Sequence, residues 1–247
     1  MMIAETRAIV LNTHNFGDTS LICNLFSEDY GKFSVISKGA KSIKNPNHAI
    51  LQPMNYIEIC YYYKNKRNIQ FLKEASINNH FHMIKKNYEK LLYGYNIIDI
   101  INKTSQTEDS CHIVFRLAHK VLKKINHSKQ DDLLLYFIFF NLQLLRYLGY
   151  EPLISKCFNC NKHAQLLFYN YYIGQLVCSN CKSNDLDLTL DNNSLNIMKF
   201  LMITHIDDIK QKFSFEKKFN NIKIFLHDYI SYHIIDDKQI KSYKFLN

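Results

Sequence analysis

Four of the seven cysteines fall in one short stretch, C-F-N-C at Cys157 and Cys160 and C-S-N-C at Cys178 and Cys181, with seventeen residues between the two pairs. A C-x-x-C pair turns tightly enough to aim two sulfurs at one point, and two pairs supply the four thiolates that hold Zn²⁺ tetrahedrally at about 2.3 Å. The intervening AQLLFYNYYIGQLV offers apolar strand residues and a turn that would bring the second pair back to the first. This is the layout of a four-cysteine zinc ribbon, with one structural ion on Cys157, Cys160, Cys178 and Cys181. Four buried free thiols are the bland alternative, and a redox pair would leave the second C-x-x-C unexplained. A closed four-thiolate site keeps no open coordination position, so it organises structure without catalysing anything. His163 is superfluous as a ligand, and Cys23, Cys60 and Cys111 sit in strand or helix patterns as small core residues.

A second kind of chemistry lies in the cations. In SKGAKSIKN, Lys38, Lys41 and Lys44 recur at three-residue steps around a glycine at a strand end. In KNKR, Lys64, Lys66 and Arg67 crowd an expected hairpin tip. Aromatic residues flank both clusters, Phe33 before the first and Tyr61, Tyr62 and Tyr63 before the second. Small barrels hold single strands with such parts: lysines contact phosphates and rings stack on bases. Each cluster alone is an ordinary solvated loop; together on a barrel they point to nucleic acid. Lysines pair with phosphate as point charges, so the expected contacts follow the backbone and do not read base edges.

Catalysis finds less to stand on. The acidic pairs Asp131-Asp132, Asp207-Asp208 and Asp236-Asp237, with Asp185 and Asp187 nearby, fall at helix ends, where capping and the helix dipole account for them. His80 and His82 form an H-x-H with no third ligand in view. There is neither a phosphate-cradling Gly-x-x-x-x-Gly-Lys loop nor a Gly-x-Ser-x-Gly elbow, so no catalytic residue is assigned.

Elements must position these groups. Hydrophobic residues make up 47% of the 247, enough for a packed core and against disorder. The net charge of +9 is concentrated in the first 150 residues and vanishes over 151–190, so the basic part is not the cysteine part. The start, MMIAETRAIVL, is too short and too early in its acid to be a signal peptide, and LLLYFIFF at Leu133–Phe140 is too short to span a bilayer. A cytoplasmic protein with no membrane partner is expected, and reduced cytoplasmic thiols favour metal over disulfides.

Five β-rich runs, ETRAIVLNT, SLICNLFS, GKFSVISKGA, MNYIEICYYY and NIQFLKEAS, occupy the first 78 residues and suggest a small closed barrel of the OB type, with an SH3-like barrel as competitor. From about residue 80 the apolar period becomes helical. DDLLLYFIFFNLQLLRYLG reads as a central bundle helix, apolar nearly all round and closed by Gly149. Helices at roughly 193–204 and 216–234 follow the cysteines. The expected class is α+β: a five-stranded OB-type barrel at 1–78, helices at 79–150, the ribbon at 151–188 and completing helices at 189–247.

The order of these parts resembles the bacterial DNA repair and recombination mediator family RecO, over nearly the whole chain. AIVLNTHNFGDTSLICNLFSEDYGKFSVISKGAKS followed by LQPM is similar to the family's opening barrel. LLRYLGYEPLISKCFNC and IGQLVCSNC resemble its two knuckles, with Gln175 where a second glycine is usual, and YISYHIIDDKQIKSYKFL resembles its close. The resemblance implies a non-enzymatic protein that binds single- and double-stranded DNA and anneals complementary strands. It also implies binding to the C-terminal tail of the single-stranded-DNA-binding protein SSB and assembly with RecR, so that RecA loads onto SSB-coated gaps, in the cytoplasm at the nucleoid. An acidic, apolar tail needs an apolar groove rimmed with cations, for which Arg116, Lys120 and Arg146 are the candidates. A zinc-ribbon nuclease or nucleotidyl enzyme, or a purely structural adaptor, would be the alternatives.

Overall fold

A computed structural model describes residues 2–106, 109, 111–182, 188–211 and 219–234. Asp185, Asp187, Asp236, Asp237 and the closing KSYKFL motif lie outside the described residues. The chain divides into two compact units, 1–127 and 128–247.

In the first unit, β1 (Met2–Phe16), β2 (Ser20–Ser27) and β3 (Gly31–Ser37) are followed by a short helix α1 (Pro46–Ile50), then β4 (Tyr56–Tyr63) and β5 (Ile69–Asn79). They form a closed barrel in the order β1-β2-β3-β5-β4, with β1 also pairing β4. Every pairing is antiparallel except β3 with β5. That Greek-key order, with a helix between the third and fourth strands, is the OB type expected, and the SH3-like alternative falls away. Strand alternation sends Leu21, Cys23, Leu25, Phe33, Val35, Ile57, Ile59 and Tyr61 into one interior cluster. At 15 residues, β1 is long enough to pair β4 with its first half and β2 with its second, and an irregularity between Val10 and Asn12 lets it bend between the two.

Alternation fails from Ala8 to Leu11, where every residue is buried. The outward side chains of this region are covered as well as the inward ones. Three helices, α2 (His82–Lys86), α3 (Tyr88–Thr104) and α4 (His112–His127), pack within the same unit. The Phe115 ring of α4 lies 6.0 Å from Phe26 and 6.1 Å from Tyr56. A strand buried on both faces reads as a continuous apolar run, which is what AIVL is. Gly31 turns the β2–β3 hairpin at φ +66°, and a Cβ there would overlap the Asp109 carbonyl, so no other residue fits.

The second unit is built on α5 (Leu133–Tyr147), buried through most of its length, with α6 (Asn192–Ile203) and α7 (Phe219–His233). Gly149 at φ +81° ends the α5 segment as its position in the sequence suggested, and Tyr150 N–H donates to the Leu145 carbonyl at 2.8 Å. Asp191 caps α6 by accepting from Ser194 N–H at 2.8 Å. The three-stranded sheet β7-β6-β8, from β6 (Leu167–Asn170), β7 (Gln175–Val177) and β8 (Leu188–Leu190), belongs to this unit. Among the described residues no helix is long and apolar enough to cross a membrane.

Candidate metal centre and nucleic-acid interface

The ribbon's sheet register delivers the cysteines. Phe168 pairs Val177, so β7 ends one residue before Cys178, and Phe158 N–H donates to the Leu176 carbonyl at 2.9 Å, which anchors the first knuckle beside the same strand. In the first knuckle Asn161 takes φ +60° and returns its N–H to the Cys157 carbonyl at 2.9 Å. In the second, the N–H groups of Cys181 and Lys182 both donate to the Cys178 carbonyl at 3.0 Å. Gly174, at φ +63°, makes the connecting turn; a Cβ there would overlap the Tyr232 ring. Gln175 opens β7 and is not among the residues with positive φ, so the departure from a second glycine creates no backbone strain.

The four sulfurs lie within 4.8 Å of one another, with Cys160 Sγ and Cys178 Sγ 3.7 Å apart. A tetrahedron with metal–sulfur bonds of about 2.3 Å has edges of roughly 3.8 Å, so the pocket has the size of such a site. Burial pushes the Cys157 thiol up, but backbone N–H groups of Cys160, Cys178 and Asn159 outweigh it and draw it down to about 6. Hydrogen bonding to the Cys178 sulfur, and then burial, pushes Cys181 up to about 12. Four sulfur donors converging at this spacing are the donor set and the size that a tetrahedral thiolate site requires. The residues present therefore fit a metal ion. Among the described residues this is the one group of three or more potential ligands brought together. His163 stays out of it, with Nδ1 3.1 Å from the Ser155 carbonyl. His80 and His82 are exposed, and Asp207 pairs with His205 at 3.3 Å, so these acids and imidazoles do not converge.

One member of each basic cluster, Lys38 and Arg67, 29 positions apart in sequence, meets the other at a single ring. Lys38 Nζ stands 5.5 Å from the Phe71 ring centroid and the Arg67 guanidinium 4.8 Å from it. The parallel pairing of Ile36 with Phe71 causes this, because it sets the end of β3 beside the start of β5. Gln70 holds the hairpin that carries Arg67: its Nε2 donates to the carbonyls of Lys64 (3.2 Å) and Arg67 (2.8 Å), and its Oε1 accepts from Lys64 N–H at 3.0 Å. Lys66 takes φ +63° at the tip. Arg67 Nη1 is buried with no hydrogen-bond partner. Lys38, Lys41, Lys44, Lys64 and Lys66 are exposed.

One expectation needs correcting. Phe33 and Tyr61 are 8% and 2% exposed, packed against each other with tilted rings in the barrel interior at 4.9 Å, so they do not form an outer face beside the cations. Strand alternation puts them inside. Tyr62 and Tyr63 are half-buried, and the ring actually under the cations is Phe71. Its signal was the alternation within NIQFLKEAS, which sets Phe71 and Gln70 on opposite faces.

The three cations considered for the SSB tail are placed differently. Arg116 and Lys120 lie exposed one turn apart on α4, in the first unit. Arg116 Nε reaches Glu28 at 3.3 Å, and Arg7 pairs with the same carboxylate, which is itself buried. Arg146 belongs to the second unit, where its Nη1 donates to the Met202 carbonyl at 3.0 Å and its Nε lies 3.7 Å from Glu151.

Barrel and cysteine cluster together define a two-unit protein: an OB-type barrel with a cationic edge, joined to a helical unit that carries a four-cysteine site. The chain belongs to the Recombination protein O family, whose N-terminal domain matches residues 1–81 and whose C-terminal domain matches residues 85–243. A DNA repair protein RecO from Chloroherpeton thalassium is 26% identical over 258 residues, covering 100% of this chain and 98% of the relative. Those from Salinibacter ruber and Chlorobium limicola are 31% and 33% identical over 156 residues, covering 62% and 63% of this chain and 59% of each relative. The family places the chain in DNA repair and recombination.

Proposed function

We propose that the chain is a non-enzymatic recombination mediator. It binds single- and double-stranded DNA, anneals complementary strands and, assembled with RecR, helps RecA load onto SSB-coated single strands. Its place is the cytoplasm, at the nucleoid, and its cysteine site holds one structural Zn²⁺ on Cys157, Cys160, Cys178 and Cys181. The observation that carries the DNA reading is the convergence of Lys38 and Arg67 on the Phe71 ring. A cation pair over a ring offers phosphate contacts beside a stacking face, on a barrel of a family named for recombination. Lys41, Lys44, Lys64 and Lys66 extend the cationic edge along the two loops. The acidic SSB tail is assigned within the first unit, to the exposed cations Arg116 and Lys120 of α4; Arg146, engaged with the Met202 carbonyl and Glu151 in the second unit, is not part of this assignment.

The test is the salt dependence of single-strand binding. Replacing Lys41 and Lys44 together by Ala should flatten the log–log slope by about 1.4, at about 0.7 per lost phosphate contact. Annealing should fall with it. An unchanged slope would remove these lysines from the interface. Cleavage or nucleotide transfer by the pure protein with labelled DNA and Mg²⁺ would overturn the mediator reading in favour of an enzyme. For the tail, Lys120→Glu with Arg116→Gln should weaken binding of an SSB tail peptide, and undiminished binding would discard that placement.

A further inference from the structure

The barrel has a cavity that the cationic edge does not use. Of about 380 Å³, it lies between the β2–β3 turn and the base of the β4–β5 hairpin. Tyr30, Phe33, Tyr61 and Tyr63 line it with aromatic surface, and Asp29 and Gln70 supply polar atoms. Tyr61 lies against Phe33, and Tyr30 stands edge-on to Tyr61 at 6.2 Å and 88°. Tyr30 is 41% exposed, so the mouth is open and its ring is unfinished packing.

The polar atoms restrict what can enter. Asp29 Oδ2 accepts from Thr6 Oγ1 at 2.6 Å, which leaves Oδ1 and a second lone pair of Oδ2 to accept from a ligand. A carboxylate there repels phosphate and favours a neutral group with N–H donors. The Gln70 amide is committed to the hairpin backbone and offers the ligand little, but it ties the cavity to the loop that presents Lys64, Lys66 and Arg67. An aromatic, acceptor-bearing pocket next to a cationic loop therefore suits a flat, N–H-bearing group attached to a phosphate chain. The volume is within the range of ligand pockets, ample for one base.

We propose that this cavity takes one nucleobase of the bound single strand, stacked on Tyr30 and held by the Asp29 carboxylate, with guanine preferred over thymine. Guanine presents two adjacent N–H donors on its pairing edge to one carboxylate, whereas thymine presents one. The proposal rests on the backbone contacts above and adds a base contact inside the barrel mouth, beside the β4–β5 loop that OB folds commonly use but off the outer face of strands 2 and 3.

Three 12-mers separate it from that reading: all thymine, all thymine with one central guanine, and an all-abasic strand. The full chain should bind the guanine strand most tightly and the abasic strand most weakly, the latter by about ten-fold. Tyr30→Ala should erase most of the gap between base-bearing and abasic strands at an unchanged salt slope, and Tyr30→Phe should restore it. Asp29→Asn should narrow the guanine-to-thymine ratio. Lys64→Ala with Lys66→Ala should flatten the slope for all three strands and keep their order. Equal affinity for the three strands at an intact slope, or a gap that survives Tyr30→Ala, overturns the pocket while the backbone contacts stand. Absence of any salt-sensitive binding overturns both.

Discussion

The barrel and the ribbon reach order by opposite routes. In the barrel, five strands close on themselves and bury a continuous interior from Ala4 to Tyr61, with helices covering part of the outside. In the ribbon, the strands are four, three and three residues long, and two knuckles of a few residues bring four sulfurs together. A barrel of that size offsets its own chain entropy by apolar burial; three short strands do not bury enough, and a metal ion on the four cysteines would supply the difference. The outcome is a division of labour in which the cationic loops sit on the part that needs no ion.

The largest effect should come from removing a ligand. Cys178→Ser should abolish zinc binding and withdraw on the order of 10 kcal/mol of metal-linked folding free energy from the ribbon. Hydrogen exchange should rise over 157–181 and stay low in the barrel strands. Protein purified under reducing conditions, without chelator, and found free of zinc would end the contrast.

Next comes the barrel's own core. Ile57 is fully buried between β1 and β5, and Ile57→Ala should cost about 2–5 kcal/mol by denaturant unfolding. Zinc content should not change. If zinc were lost with it, the two regions would not be independent.

A smaller effect attends Glu28, which is 5% exposed and faces both Arg7 and Arg116. Glu28→Gln should destabilise the first unit by about 1–2 kcal/mol. Both arginines are more than half exposed, so solvent screens the pairs and the effect should not reach that of a buried ion pair. Chemical denaturation at two salt concentrations would check it.

The smallest concerns His119, stacked on Tyr56 at 4.2 Å. Burial, and then Lys123 and Arg7, lower its pKa, against an opposing pull from Glu28. The unfolded chain therefore binds a proton more readily than the folded one. Stability should be full above the ordinary histidine value of about 6.5 and decline as pH falls below it towards the lowered folded value. His119→Gln should flatten the unfolding midpoint across that window, while the ribbon's zinc content at neutral pH stays as it was.

Much of the candidate metal site was legible because its information is local. A C-x-x-C turn sets two sulfurs close by backbone geometry alone, and an apolar stretch with one turn suffices to bring the second pair round. The basic loops were legible as loops, but not as a single site. Nothing in the lysine spacing of 38–44 or in the KNKR tip says that they meet, and the ring between them, Phe71, lies in a different strand from the aromatics that flank both clusters in sequence.

From sequence alone came the alternation and helical periods, the α5 stop at Gly149, the cysteine knuckles and the five strands of the barrel, because each depends on residues within a turn or two of one another. Only the tertiary structure decided which face of each strand looks inward, that Ala8–Leu11 is covered on both sides, that Phe33 and Tyr61 are interior, and that Glu28 gathers Arg7 and Arg116. It also decided that β3 lies parallel to β5. The physical reason is that periodicity marks an apolar face without naming what covers it. The covering partner is chosen by pairings between distant segments, whose free energy exists only once the chain has closed.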